Sequence, residues 1–347
     1  MTADNFGREC KPTIQEDRLR GRLAKAAGAA LLAASALTAA WTAGASAQTY
    51  PNRPVTIVVG SAPGGTTDFA ARILGEGLSR TLGQQFIVEN KGGASGNIGN
   101  QAVARAAPDG YTLLMAYSGY QVTNPALYTK LSWDPVKDFQ PITMVVMAPH
   151  VVLAANKLGV KTLKELSDLG KSKPGGLTYA SSGIGSIQHI GGEQFGQLTG
   201  TKTVHVPYRG AGSAMNDLLT GNVDMFITTP PSAAGHLAAK SLTGIALAAE
   251  KRHPMLPDIP TAAEAGVPGF NLVGWFALFA PAKTPPEIVE KLTKASEAII
   301  KSPDFQKRVE ENGAYAVYMT PAELAAFQAQ ELSYWGDVIR KAGIKLE

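Results

Sequence analysis

Residues Val55 to Asp68, VTIVVGSAPGGTTD, hold the densest set of ligand-binding groups in this chain. The apolar run Val55 to Val59 has the β-branched character of a strand, and Gly60 ends it. Pro63-Gly64-Gly65 turns the chain, and Thr66, Thr67 and Asp68, all helix-capping types, open an amphipathic helix to about Arg80. The first turn of a helix carries N–H groups with no partner inside the helix, and the helix dipole adds partial positive charge there. Glycines let an anion approach those groups with no Cβ in the way. Gly64, Gly65, Thr66 and Thr67 therefore offer donors to a carboxylate or a phosphate, with Asp68 as helix cap. An ordinary βα turn has the same signature, so this loop alone leaves both readings open.

A second loop repeats the pattern. Leu177 to Ala180 reads as a strand, runs into Ser181-Ser182-Gly183-Ile184-Gly185-Ser186, and gives way to a helix over Ile187 to Leu198. Ser182, Gly183, Gly185 and Ser186 would donate as the first loop does, so that the two grip one anion from two sides. His189 lies early in that helix with no histidine or carboxylate at metal-ligand spacing, which favours a structural role. His150, His205, His236 and His253 are scattered likewise. Arg209 follows a strand at Val204–Val206 and is placed for a ligand carboxylate, an internal ion pair or solvent. Tyr117, Tyr120, Tyr208, Trp275 and Phe276 fall at strand ends or near a candidate hinge, where they would wall a pocket, although Trp275 and Phe276 read better as core. No G-x-S-x-G, G-x-x-x-x-G-K-[ST] or helix-opening G-x-G-x-x-G occurs, and no cofactor is implied.

Elements that alternate nearly throughout must position these loops. After the first strand and helix come a strand at Phe86–Asn90, a glycine turn at 92–96, a helix over Asn97 to Ala106, a turn at Pro108-Asp109-Gly110 and a strand from Tyr111 to Tyr117. This βαβαβ order implies a parallel sheet covered by helices, with ligands at the carboxyl ends of the strands. The loops after Val59 and Tyr117 belong at that edge. A long β-rich stretch from Ile142 to Ala155 precedes a second series. That series has a helix over Thr162 to Lys171 capped by Thr162, the Leu177 strand, the Ile187 helix, the Val204 strand, a helix over Ser213 to Thr220 and a strand at Val223–Ile227. Leu272 to Ala280 is again strand-like, and helices near Glu287–Lys301 and Pro321–Lys341 finish the chain. Two series imply two similar domains, with 142–155 and 272–280 as candidate crossing strands, a hinge between them and a cleft as the default ligand site.

The N-terminus reads as a removable leader. Arg18, Arg20, Arg22 and Lys25 precede an Ala- and Leu-rich run from Ala26 to Ala40, and Ala45-Ser46-Ala47 forms a small-residue cleavage site, so 1–47 is read as a secretory signal peptide. The single cysteine, Cys10, would leave with it, which excludes disulfides, thiolate metal sites and a cysteine nucleophile from the mature chain. Of the 347 residues, the part after 47 carries 26 Lys/Arg against 24 Asp/Glu. That near balance, without basic blocks and interleaved aromatics, argues against nucleic acid.

The mature chain resembles the periplasmic solute-binding receptors of tripartite tricarboxylate transporters, the Bug proteins, over essentially all of 48–347. The likeness is carried by Tyr50-Pro51-x-Arg53-Pro54, Ala62-Pro63-Gly64-Gly65-x-x-Asp68, Val88-Glu89-Asn90-Lys91, Pro108-Asp109-Gly110-Tyr111-Thr112-Leu113-Leu114 and Asn124-Pro125-Ala126-Leu127-Tyr128. It continues in Ser181-Ser182-Gly183-x-Gly185-Ser186-x-x-His189, Val206-Pro207-Tyr208-Arg209-Gly210 and Pro257-Asp258-Ile259-Pro260-Thr261. The resemblance implies an α/β type II periplasmic binding protein, each lobe a mixed, mostly parallel sheet flanked by helices, joined by two crossing strands. Lobe one would be 48–147 with 272–347, and lobe two 148–271. It implies a periplasmic, non-enzymatic, monomeric receptor that captures a small organic acid by backbone N–H groups and hydroxyls and delivers it to membrane permease subunits. A ligand-presenting sensor and a secreted hydrolase or lyase are the alternatives.

The chain departs from the family pattern at Gly60-Ser61, Tyr120-Gln121, Thr228 and Ser213. The first three face the expected cleft, so ligand identity does not carry over. Ser61, Tyr120, Tyr208 and Thr228 are expected to shape the pocket. A small Ser61 and an aromatic Tyr120 would suit a bulkier acid, an aromatic one included, and the lack of an acid at Thr228 argues against an amino-acid ligand.

Overall fold

Val55–Val59 (β1) is almost wholly buried, as a strand covered on both faces must be. The computed structural model describes residues 50–342, and the leader and cleavage site at 1–47 lie outside them. β1 lies between Phe86–Asn90 (β2) and Thr112–Tyr117 (β3), parallel to both, as a βαβαβ unit requires. The connecting helices are Thr66–Leu82 (α1) and Asn97–Ala104 (α2). After β3 the chain makes a π-turn at Gly119–Thr123 and a one-turn helix, Asn124–Leu127 (α3).

Phe139–Ala155 (β4) is a single 17-residue strand that serves two regions of sheet. Its first part pairs antiparallel with Val273–Pro281 (β9), which also pairs antiparallel with β3. Its last part pairs antiparallel with Met225–Thr228 (β7) and Leu242–Ala248 (β8). Beyond β7 lie Leu177–Ser181 (β5) and Thr203–Pro207 (β6), all three parallel. The strand order is thus β2-β1-β3-β9-β4-β7-β5-β6, with β8 and the short Tyr315–Ala316 (β10) also on β4. Each half is a mixed sheet with a parallel core.

Helices Leu163–Ser172 (α4), Ile187–Thr199 (α5) and Ala211–Thr220 (α6) connect the second half, with a short Ala234–Ala238 (α7) before β8. Thr162 caps α4 as expected, in a reciprocal box with Glu165. Pro286–Ile300 (α8), Pro303–Glu310 (α9) and Pro321–Ala342 (α10) close the chain, and α8 and α10 return to pack near β4.

Candidate functional site

At the carboxyl ends of β1 and β3, three helix N-termini meet. α1 starts after Gly65, α5 after Ser186 and α6 after Gly210. A Cβ built on Gly65 would lie 3.3 Å from the Ala211 Cβ and 4.0 Å from the Ala211 backbone nitrogen, so the starts of α1 and α6 nearly touch. Between these ends lies a small cavity of about 20 Å³, lined by Ser61, Gly65, Thr66, Thr67, Tyr117, Tyr120, Ser182, Gln188, Ala211, Thr228, Thr229 and Phe276. Its lining is hydroxyls, one amide, small residues and aromatic rings, with no carboxylate, lysine or arginine. As the first residues of α1, Thr66 and Thr67 present N–H groups that have no acceptor inside the helix.

Hydroxyl contacts bridge the two halves of the sheet around this space. Thr66 Oγ1 and Thr229 Oγ1 are 2.7 Å apart across it, and within the second half Thr228 Oγ1 and Ser232 Oγ are 2.9 Å apart. The Tyr117 hydroxyl donates to Gln188 Oε1 at 3.0 Å, and Ser182 Oγ donates to the same oxygen at 2.8 Å. Tyr120 donates to the Ser182 carbonyl at 3.4 Å. Tyr117 stacks on Phe276 at 5.3 Å between ring centres and meets Tyr120 edge-on at 5.1 Å. Burial raises both phenols, Tyr120 to about 12, so they stay protonated donors at neutral pH.

Of the residues expected from the sequence, Ser61, Gly65, Thr66, Thr67, Tyr120, Ser182 and Thr228 come together on this wall. Gly64, Gly183, Gly185, Ser186 and Tyr208 do not line it, and most have other work. The Gly64 N–H donates to Asp68 Oδ2 at 3.1 Å, and the Gly185 N–H to His189 Nδ1 at 3.1 Å. The Gly183 N–H meets Ser181 Oγ, and Ser186 caps α5 by accepting the His189 N–H. Tyr208 donates to Asp217 at 2.6 Å and, with Gly183, Ser95, Arg209 and Ser213, lines a separate surface depression. His189 has the structural place expected of it and stacks on His205 at 4.0 Å.

Asp68 differs in detail from a cap. The N-cap position is Gly65, in extended conformation and without a side-chain cap, and Asp68 is the third helical residue. From there its carboxylate reaches back to Gly64 and across to Asn90 at 3.0 Å, so it pins the turn ahead of the helix. Tyr117, Gln188, Ala211, Thr229 and Phe276 complete the wall. The first was read as a pocket wall, whereas Phe276, read as core, is both buried and on the wall. Gln188 and Ala211 carry no motif; their place one or two positions into a helix behind a glycine-containing loop is the only signal that marks them.

Residues 70–344 match the model of the tripartite tricarboxylate transporter family receptor. The chain is 35% identical to the protein BugT of Bordetella pertussis over 311 residues, 89% of this chain and 95% of that one. Among solved structures it is similar to the periplasmic binding protein BugD, with a TM-score of 0.82 and 37% identity, covering 86% of this chain and all (100%) of that one. It is also similar to the R. palustris protein Rpa4515 with adipate, with a TM-score of 0.83 and 34% identity over 85% of this chain and 99% of that one. MatC from Rhodopseudomonas palustris with bound malate gives 0.79 and 35%, over 84% and 100%.

Proposed function

We propose a function on one premise: the chain belongs to the tripartite tricarboxylate transporter receptor family, whose members are periplasmic solute-binding proteins and not enzymes. On our reading the protein captures a small organic carboxylate in the periplasm, delivered there by a signal peptide over 1–47, and passes it to a membrane permease. No helix among the described residues is long and apolar enough to cross a membrane.

The observation that carries this reading is the meeting of the α1, α5 and α6 N-termini at a cavity with no carboxylate, lysine or arginine in its lining. Oriented amides hold a carboxylate at lower desolvation cost than a buried ion pair. The adipate and malate bound to the two R. palustris relatives support the same ligand class. Residues 48–147 with 272–347 act as one lobe and 148–271 as the other, hinged on β4. The cavity of about 20 Å³ holds little more than one water, so the acid enters only when the lobes part. Tyr120 packs against Gly96 and Tyr117 and fills space, which supports a short aliphatic acid over an aromatic one.

Native mass spectrometry of protein purified without refolding, followed by calorimetry with malate, succinate and adipate, tests the reading. A bound acid displaced by one of these is expected. Gly65→Val puts two methyls against Ala211, where the helix ends meet, and is expected to abolish binding while circular dichroism stays native. Normal binding by this variant would place the site elsewhere.

A further inference from the structure

His150 is wholly buried at the point where β4 leaves one sheet region for the other. Just before it Pro149 pairs with Val273 of β9, and just after it Val151 pairs with Thr228 of β7. Its backbone N–H donates to the Leu272 carbonyl at 2.8 Å, and its Nδ1 lies 3.1 Å from the same oxygen. A carbonyl oxygen only accepts, so Nδ1 carries the ring proton and Nε2 is left as a bare acceptor. Nε2 is buried and has no hydrogen-bond partner among the described residues. Burial lowers the ring's pKa to about 4, against which the Leu272 carbonyl works weakly, so the ring is neutral at neutral pH.

The Cε1 carbon beside this acceptor approaches the binding wall. Side chains alternate across a strand, so His150 shares a face with Thr229, the next position in the β4–β7 register. Gly274 shares that face with Phe276, whose partner across β3 is Tyr117. A Cβ built on Gly274 would lie 3.2 Å from His150 Cε1, 3.3 Å from Thr229 Cγ2 and 3.5 Å from Tyr117 Cε2. Cε1 is bonded to both ring nitrogens, which brings the acceptor Nε2 within one bond of this contact, and Thr229, Tyr117 and Phe276 all line the cavity. The missing side chain at Gly274 therefore leaves the ring one methyl's width behind the wall.

An unpaired buried acceptor is costly unless a donor reaches it. The donor chemistry is restricted by the rest of the wall, which has no carboxylate to balance a buried ammonium. A neutral hydroxyl meets no such penalty. We propose that His150 Nε2 is a specificity-determining acceptor for a hydroxyl on the bound acid, so that the site selects a hydroxylated dicarboxylate over its plain and amino counterparts. The inference rests on the carboxylate reading above.

Malate, succinate and aspartate share one skeleton and differ by a hydroxyl, a hydrogen and an ammonium at one carbon. Calorimetry on the wild-type protein is expected to rank malate tightest, by tenfold or more over succinate. His150→Phe should bring the malate-to-succinate ratio close to one while succinate affinity stays within twofold. Gly274→Ala, which sets a methyl between ring and wall, should do the same in a protein whose circular dichroism is native, and guards against misfolding of the first variant. In the unaltered protein, the Nε2 nitrogen resonance should move on adding malate and stay put with succinate. A preference for succinate or aspartate, or a malate preference that survives both substitutions, would overturn the role of His150 and leave carboxylate capture standing. If malate, succinate and adipate all fail to bind, carboxylate capture itself falls, and the role of His150 with it.

Discussion

The carboxylate of Asp68 gathers four donors: the Gly64 N–H at 3.1 Å, Asn90 Nδ2 at 3.0 Å, and Arg72 Nε and Nη2, each at 2.9 Å. Burial alone would raise its pKa, but the bonds to Arg72, Gly64 and Asn90 outweigh that and hold it below the ordinary value. A carboxyl depressed in the folded state contributes stability above its unfolded pKa, about 3.9, and loses it as pH falls through the folded value. Arg72 is more than half exposed, so the ion pair is discounted, and the bonds from Gly64 and Asn90 matter more. Asp68→Ala is expected to cost about 2 kcal/mol at pH 7. Urea denaturation at pH 7 and pH 3 checks this, since the gap from wild type should shrink at the lower pH. The type of residue 68 marked it as a helix-start residue, but its precise task was not legible locally. Asn90, the partner that turns it from cap to anchor, lies on β2 and also holds the Ser61 carbonyl at 3.1 Å.

Among elements, the βα alternation was legible wherever apolar runs ended in glycine or a capping residue, as at Val59, Ala180 and Thr162. The strand β8 was not, because Leu242–Ala248 mixes Ala, Gly and Thr with no clear period and is defined by pairing with β4. The π-turn at Gly119–Thr123 was equally hidden, since its sequence does not differ from a loop. The α6 helix was legible from Ser213 onward, but not that it starts at Ala211 with its first turn resting on the Pro63–Gly65 turn. Gly212 makes that approach possible: a Cβ there would overlap the Pro63 carbonyl oxygen. Its backbone is ordinary helix, where alanine is favoured over glycine by about 0.8–1 kcal/mol. Gly212→Ala therefore pulls in two directions. With the lobes parted, as proposed for the unliganded protein, the variant should melt no lower than wild type, while affinity for the acid falls at least tenfold, because α6 is held off the turn proposed to donate to the ligand. Melting curves with and without the acid separate the two effects: a ligand-induced rise in Tm equal to that of wild type would show that α6 need not approach.

At the scale of the whole molecule, the proposed capture of an acid raises the question of what would hold the halves together around it. Polar links cross between them on the wall and at the rim. At the rim, Ser95 Oγ donates to the Ile184 carbonyl at 2.6 Å, and the Ala62 N–H donates to the Arg209 carbonyl at 3.1 Å. Ser95 belongs to a run of four residues, Gly93, Ala94, Ser95 and Gly96, all at positive φ. For Ala94 and Ser95 that conformation is unfavourable, and surrounding contacts must hold it. Because Ser95 stands outside the cavity lining, removing its hydroxyl changes closure without touching the ligand wall. A hydrogen bond of this kind contributes about 1 kcal/mol net, which is roughly fivefold in a rate. On the proposed closing motion the halves meet after the acid has entered, so the bond is expected to bear on escape and not on capture. Ser95→Ala is accordingly expected to speed dissociation about fivefold and to leave the association rate unchanged, by stopped-flow with the acid identified in calorimetry. A matching rise in the association rate would instead mean that the strained loop is already latched before the ligand arrives, and that the empty protein samples the closed arrangement on its own.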